Sequence, residues 1–426
     1  MEHFEYVIIG SGPAGLGAAF ELLDCGEKDI LIIDQERYCS GGLRNDCKMN
    51  FSSRIGFTDS WTDTQINYYL EKVKRRLQPT IFPKSNIEIY QKRAEKLSCE
   101  LAVVEQTHLG TDGGLELIKK LYQELEDRGV KFLLGRKVLK VEEKCIRTVD
   151  LFNITYDTIK FDKLLIAPGR KGFKFLQEVM DYHNISYVDN VVDVGLRIET
   201  KEEHYPIVRD YYDPKFYFPN KVRTFCTNSG NAHVVQEKYE DDNDNIYYSV
   251  NGHAFKEAGN KNNLVNFAIL KTVKLTEPLA SGSKYAESLG LEAALLGGGK
   301  PIMQRVGDFR LGHRSKAETF VDSDLYNFKP TLNATPGDIS LVCPAKILRD
   351  IWSAMKNLDT IIPGVLHPST IMYYPEIKFY ANKPQFIDDY FRAKNNIWLA
   401  GDGAGTSRGI TAAWASGIRA AEGMIR

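Results

Sequence analysis

The chain has 426 residues, 43% of them hydrophobic, which is enough to bury a core of ordinary density in two or three domains. Lysine and arginine nearly balance aspartate and glutamate, for a formal net charge of -1, so no global field favours nucleic acid or an anionic membrane. The seven cysteines are scattered without a CxxC pair, and the eight histidines show neither HExxH nor HxxxH spacing, so a built-in metal site has no support.

The opening residues enter a strand at once and lack the basic region and apolar run of a signal peptide, and no stretch approaches the roughly 20 apolar residues of a spanning helix. The expectation is a cytoplasmic protein with no membrane or nucleic-acid partner and a small-molecule substrate. The oligomeric state is not legible.

Glu5 to Ile9 reads as a short β-branched strand. Gly10-Ser11-Gly12-Pro13-Ala14-Gly15 follows, and Leu16 to Cys25 then suits a buried helix. In this order Gly10 makes the tight turn, Gly12 lets the backbone approach a pyrophosphate, and Gly15 lets the helix pack on the strand. Pro13 and Ala14 open the helix whose free N–H groups face the phosphates. Gly26 caps that helix. Asp29 to Ile33 is a second strand ending at Asp34, about 20 residues beyond the glycines, where a ribose-binding acid belongs. Gln35 and Glu36 follow, so a pocket for a 2′-phosphate is not expected. The unit alone fits NAD and FAD equally, since both present ADP.

Cys39 and Cys47 invite comparison with a redox disulfide beside a flavin, but seven residues including Gly41 and Gly42 separate them, which favours ordinary thiols. Gly41, Gly42 and Arg44 read better as contacts to phosphates or to a ribityl chain. Leu115 to Asp127 is an amphipathic helix, with strands at Val130 to Leu134 and Lys137 to Glu142. Lys163 to Arg170 is an apolar strand ending at Ala167 and Gly169, where the chain can turn closely over the dinucleotide unit.

Glu237 to Asn245 is an acidic hairpin loop, and Tyr211 to Phe218 reads equally as a pocket lining or a satellite core. Gly297-Gly298-Gly299-Lys300 lacks the Ser or Thr of a phosphate loop and is followed by proline, so a nucleotide triphosphatase is rejected.

Near the far end, Asn396 to Ala400 is a strand running into Gly401-Asp402-Gly403-Ala404-Gly405, and Gly409-Ile410-Thr411 opens a helix of small residues. Asp402 would bond a ribityl hydroxyl, and the positive end of the helix at Gly409, Ile410 and Thr411 would support negative charge at a flavin pyrimidine edge. NAD has neither group, so the expected cofactor is FAD, with NAD(P)H as a transient electron donor. Candidates for handling substrate and proton are Arg408, Lys378 and Arg305, with His313 and Arg314 behind them. Only Arg408 is placed by a motif.

With these pieces in view the sequence resembles the glutathione-reductase-like FAD superfamily, and within it the FAD-dependent dehydrogenases. The resemblance rests on the stretch from Cys39 to Lys48, on Asp193 to Glu199, on Thr224 to Cys226 with Asn251-Gly252, on Gly297 to Arg305, and on the Gly-Asp-Gly-Ala-Gly ending. It implies that backbone at Val138 touches the adenine. Two departures are Cys47, where the family more often has glycine, and the absence of the extra domain that precedes the dinucleotide unit in many bacterial members.

The expected fold class is α/β, a Rossmann-like FAD-binding domain (glutathione-reductase-like) at residues 1–185 and 385–426, with an inserted β-rich α+β substrate domain at 186–384. The expected activity is that of an FAD-dependent oxidoreductase, a dehydrogenase or reductase of a small organic molecule. The alternatives are an FAD-dependent hydroxylase, which would end in Gly-Asp-Ala-Ala-His, and a non-redox or nucleic-acid-modifying flavoprotein.

Overall fold

The computed structural model describes residues 2–39, 47–53, 55–241, 243–255, 261–276, 278, 281–321, 328–379 and 382–426. It divides into two compact units, one built from residues 1–81, 105–190 and 380–426, the other from 82–104 and 191–379.

In the first unit, four parallel strands form the centre of a sheet in the order Ile397–Leu399, Tyr156–Ile166, Glu2–Ile9, Ile30–Asp34, with Lys131–Leu134 parallel beyond the last. The central strands read as continuous apolar runs because both faces are covered. On one face lie the helices Pro13–Asp24 and Gly409–Ile425, which approach so closely that Gly417 meets the backbone of Ala14 and Gly17 meets Trp414. Asp63–Leu77 and Gly110–Asp127 complete that layer. The other face is covered by the antiparallel strands Arg136–Val141 and Cys145–Asp150 and the helix Phe173–Tyr182. This is the expected Rossmann-like α/β domain.

The register decides where a ligand can sit. Ile9 pairs with Ile33 and with Ile166, and Ile166 with Leu399, so four carboxyl ends fall on one edge of the sheet. Open parallel sheets bind ligands at that edge.

The second unit is a mixed sheet whose core strands are Ile302–Arg305, Ile371–Phe379, Val192–Lys201, Leu264–Val273 and Val222–Gly230. Along Val192–Lys201 the side chains alternate. Val192, Val194, Leu196 and Ile198 enter a core shared with the helix Ala345–Ile361, while Asp193, Arg197 and Glu199 lie on the opposite face, each fully buried. The hairpin Ala232–Glu240 with Ile246–Ala254 reaches that polar face: Gly252 sits so close to Arg197, Asn228 and Asn266 that a Cβ there would collide with all three. The stretch expected as an acidic hairpin loop begins later than that: Glu237 to Glu240 continue the strand Ala232–Glu240, paired with Ile246 to Ser249, because the cross-strand ladder runs on past the apolar positions.

One segment lies elsewhere than the sequence suggested. Residues 82–104, counted there with the FAD domain, join the second unit, because the strand Glu100–Ala102 pairs with Lys215–Phe218 and the helix Glu88–Glu95 packs on the same core. A three-residue strand carries too little periodicity to be read. Tyr211, Phe216 and Phe218 are buried in that core, so the aromatic run there is packing. The triglycine ends the helix Gly282–Leu296, with Gly298 and Gly299 in left-handed conformations.

The second unit also carries a pH dependence. His204 and His367 stack with ring centroids 4.1 Å apart, and burial holds both imidazoles below the usual histidine range, with His367 adding repulsion at His204. Glu203 opposes the shift and Lys201 adds to it. The unfolded chain therefore binds protons that the folded chain refuses below an ordinary histidine value of about 6.5, so stability is complete above that pH and falls as pH drops. A lower Tm at pH 5.5 than at pH 7.5 is expected, with the difference reduced in His204→Gln/His367→Gln.

Candidate functional site

The first glycine turn forms because Gly10, at φ +104°, takes a conformation closed to other residues, and because any Cβ on it would strike the Ala167 carbonyl. The turn is tied to both neighbouring strands: Gly10 N–H donates to Ile33 O at 2.8 Å, and Ala167 N–H to Ile9 O at 2.8 Å. Gly12 caps the helix Pro13–Asp24 with no side-chain cap, and proline occupies the first turn. The N–H groups of Ala14 and Gly15 therefore face the mouth of the turn, as an anion site requires. Gly15 packs against the Gly10 carbonyl and leaves no room for a side chain.

Asp34 ends the second strand beside this turn. One carboxylate oxygen accepts hydrogen bonds from Ser11 N–H at 2.7 Å and Ser11 Oγ at 2.6 Å, and the other from Glu36 N–H at 2.9 Å. A carboxylate has about four acceptor positions, so with three taken it can still accept from one hydroxyl of a ribose. Ser11 is a partner of Asp34 that the sequence reading missed. Its hydroxyl ties Asp34 to the glycine turn, and a serine between two glycines gives no distinctive signal. Gln35 and Glu36 are exposed, and Glu36 O accepts from Gly135 N–H at 2.8 Å, which brings the strand containing Val138 alongside. Val138 is 7% exposed and lies where that strand shifts register against Cys145–Asp150. Gly41, Gly42 and Arg44 lie outside the described residues.

The second turn comes from the other end of the chain and meets the first. A Cβ on Gly401 would stand 3.2 Å from that of Ala14, and one on Gly403 would strike the Gly169 carbonyl. Gly401 N–H is held by Thr406 Oγ1 at 2.9 Å and Ser416 Oγ at 3.0 Å. Asp402 accepts from Ser407 Oγ at 2.8 Å and from Gly409 N–H at 3.2 Å, so it also caps the last helix, and Arg170 Nε lies 3.7 Å away. Ser407 and Arg170 are the other groups the sequence reading passed over.

Arg408 stands at the N-cap of the helix Gly409–Ile425, its N–H donating to Gly56 O at 2.6 Å. Gly409 is exposed, while Ile410 and Thr411 are buried. Thr411 Oγ1 has no hydrogen-bond partner among the described residues. An orphaned buried hydroxyl at a helix start and an uncapped helix at the adjoining turn are both groups that a dinucleotide could satisfy. The residues present therefore fit FAD.

The cysteines weigh against a redox disulfide at this site. Cys39 and Cys47 are both buried. Burial pushes the Cys39 thiol up to about 12, and the nearby Asp34 raises it further, while its hydrogen bond to Ser11 O at 3.6 Å opposes the rise. Only a thiolate attacks or transfers electrons, so this group is inert at neutral pH. Iodoacetamide at pH 8 is expected to leave Cys39 unmodified in the native protein and to label it after denaturation, as peptide mapping would show.

The other two catalytic candidates lie in the second unit. Arg305 is fully buried and donates to the carbonyls of Thr319, Phe328 and Ser369, with its guanidinium also against the rings of Phe320 and Phe328. That is a role in holding three turns together, not in meeting a substrate. Lys378 is 6% exposed, 3.2 Å from Glu376 and 4.0 Å from Glu237. Glu376 in turn pairs with Arg197 at 3.4 Å. His313 and Arg314 are exposed.

Residues 4–204 match the family model of the pyridine nucleotide-disulphide oxidoreductases. No curated protein matches the chain. Similar solved structures include L-proline dehydrogenase from P. horikoshii, 13% identical over 99% of this chain and 93% of that one, at a TM-score of 0.44. A geranylgeranyl bacteriochlorophyll reductase-like protein from Thermoplasma acidophilum is 11% identical over 100% and 78%, at 0.43. The p-nitrophenol 4-monooxygenase of Pseudomonas putida is 11% identical over 100% and 80%, at 0.41. Among the described residues no helix is long and apolar enough to cross a membrane. Residues 4–204 thus resemble the pyridine nucleotide-disulphide oxidoreductases over a little under half of the chain, and the fold there is a Rossmann-like dinucleotide-binding domain.

Proposed function

We propose that this chain is an FAD-dependent dehydrogenase or reductase that passes a hydride between FAD and a small organic substrate. FAD, when bound, supplies hydride exchange at N5 of its ring, so the protein needs no nucleophile. The observation that carries the reading is the meeting of the two terminal turns, since the second turn offers groups that only a flavin dinucleotide, and not NAD, can use.

The division of labour among the residues follows from their chemistry. Gly12, Ala14 and Gly15 receive the phosphates, and Asp34, oriented by Ser11, receives the adenosine ribose. Asp402 and the start of the last helix bear on the ribityl chain and the pyrimidine edge. The positive end of that helix would support negative charge at the pyrimidine edge of a bound flavin. Arg408, at the same helix start, is the residue we assign to support that charge, and Lys378 the residue we assign to substrate. The ending Gly401-Asp402-Gly403-Ala404-Gly405 departs from that of the aromatic hydroxylases, which argues for the dehydrogenase reading over the hydroxylase.

The test is anaerobic mixing of the FAD-loaded protein with NADH, NADPH and a panel of small metabolites, followed at the absorbance of oxidised flavin. Bleaching by one of the metabolites, with colour restored by an external acceptor, is the expected result. Flavin that bleaches only with NAD(P)H, and is reoxidised by O2 with oxygen inserted into an aromatic compound, would establish the hydroxylase instead.

A further inference from the structure

One stretch of the first unit that no cofactor motif accounts for, Gly56 to Trp61, lies along the turn that opens the last helix and holds three consecutive residues of it. Arg408 N–H donates to Gly56 O at 2.6 Å, Phe57 forms an antiparallel bridge with Ser407, and Trp61 Nε1 donates to Thr406 O at 2.7 Å, with Thr58 Oγ1 3.5 Å from the same oxygen. The approach is close enough to require glycine. Gly56 stands at φ +94°, and a Cβ on it would come 2.5 Å from Arg408 O and 3.0 Å from Ala412 Cβ.

The same three residues are tied on their other side to the second glycine turn. Thr406 Oγ1 accepts from Gly401 N–H at 2.9 Å, and Ser407 Oγ donates to Asp402 at 2.8 Å; both side chains are fully buried. The strap grips the helix further along as well. Arg419, 2% exposed, donates to Ser60 O at 3.0 Å, and its guanidinium lies 4.6 Å from the centroid of the Trp61 ring. That ring is fixed by edge contacts with Phe57 at 5.1 Å, Tyr69 at 5.5 Å and Phe391 at 5.4 Å. One segment therefore pins the helix Gly409–Ile425 at its start and again at Arg419. The positive end of a helix acts only over about its first turn, so the support it gives a ligand depends on where that turn is held.

We propose that the strap Gly56 to Trp61 is a positioning element for the flavin, with Trp61 as its positioning residue: by holding Thr406, Ser407 and Arg408 it sets how closely the start of the last helix meets the pyrimidine edge, and so how strongly reduced flavin is favoured over oxidised. This inference rests on the reading that the two terminal turns enclose FAD.

The test uses the full chain loaded with FAD and reads the flavin midpoint potential by reductive titration against a reference dye, beside the Tm. Trp61→Phe keeps a ring in the same surroundings and removes the hydrogen bond to Thr406 O, while Gly56→Ala drives a methyl group against Arg408 O. Each is expected to favour reduced over oxidised flavin about tenfold less than wild type does, a midpoint potential lower by about 30 mV for a two-electron couple. Tyr69→Phe is the control. It removes the 2.6 Å bond from Tyr69 to Glu422, near the far end of the same helix, and is expected to lower the Tm without moving the potential. Whichever strap variant folds decides the matter, and one that folds yet releases its flavin, while Tyr69→Phe keeps it, shows the same dependence more strongly. An unchanged or raised potential in a folded, flavin-bearing strap variant, or an equal shift in Tyr69→Phe, would overturn the role of the strap and leave the FAD reading standing. A folded wild type that takes up no FAD would overturn that reading, and this inference with it.

Discussion

Gly12→Val is expected to yield a folded, colourless protein. The backbone at Gly12 is at φ -78° and ψ -175°, extended and open to any residue, so a valine there strains nothing in the chain. Its branched side chain would instead stand at the mouth of the turn, where the phosphates of FAD must approach the N–H groups of Ala14 and Gly15. Denaturation should be cooperative, at a Tm near that of flavin-free wild type, with flavin content near zero. Gly10→Ala makes the contrast. That residue must adopt φ +104° and collides with Ala167 O, so this variant is expected to lose stability, by about 1–3 kcal/mol for the backbone strain alone, with or without flavin. If Gly12→Val retained flavin, the first turn would not be the phosphate site.

Glu376→Ala is expected to destabilise the second unit strongly. The carboxylate is fully buried and serves Arg197 and Lys378 together. Removing it takes from two buried cations the carboxylate they share, a change that typically costs about 3–5 kcal/mol. Urea denaturation should show the loss, and a double mutant cycle with Arg197→Met should recover part of it, since the second change removes one of the stranded charges. A loss below about 1 kcal/mol would mean that water reaches these groups and screens their charges.

The first unit was legible because its local signals agree with one another. The β-branched strand before Gly10, the glycine spacing and the acid at Asp34 belong to one short stretch, and the second turn around Asp402 repeats the same strand-to-helix logic. Their meeting in space follows from sheet register, which no local pattern states, and it needed the coordinates. The role of Ser11 was hidden for a different reason: its hydrogen bonds to Asp34 span 23 residues of sequence.

The second unit was harder to read. Its charged strand residues Asp193, Arg197 and Glu199 alternate with apolar ones and so look like a solvated face, yet they are buried under a hairpin whose docking depends on Gly252. The same concealment misplaced residues 82–104, whose strand matters only through its partner more than 100 positions away. Arg305 shows the limit of reading charge as function, since its surroundings are the carbonyls of distant turns.

The central claim is that two remote turns close around one flavin dinucleotide. Equilibrium titration of the flavin-free protein with FAD, FMN and NAD+, followed by flavin and protein fluorescence, tests it most directly. FAD is expected to bind at one equivalent and far more tightly than FMN, which lacks the adenosine that Asp34 receives, or NAD+, which lacks the ring that the last helix supports. Binding of NAD+ in preference to FAD, or equal affinity for FMN and FAD, would contradict the account.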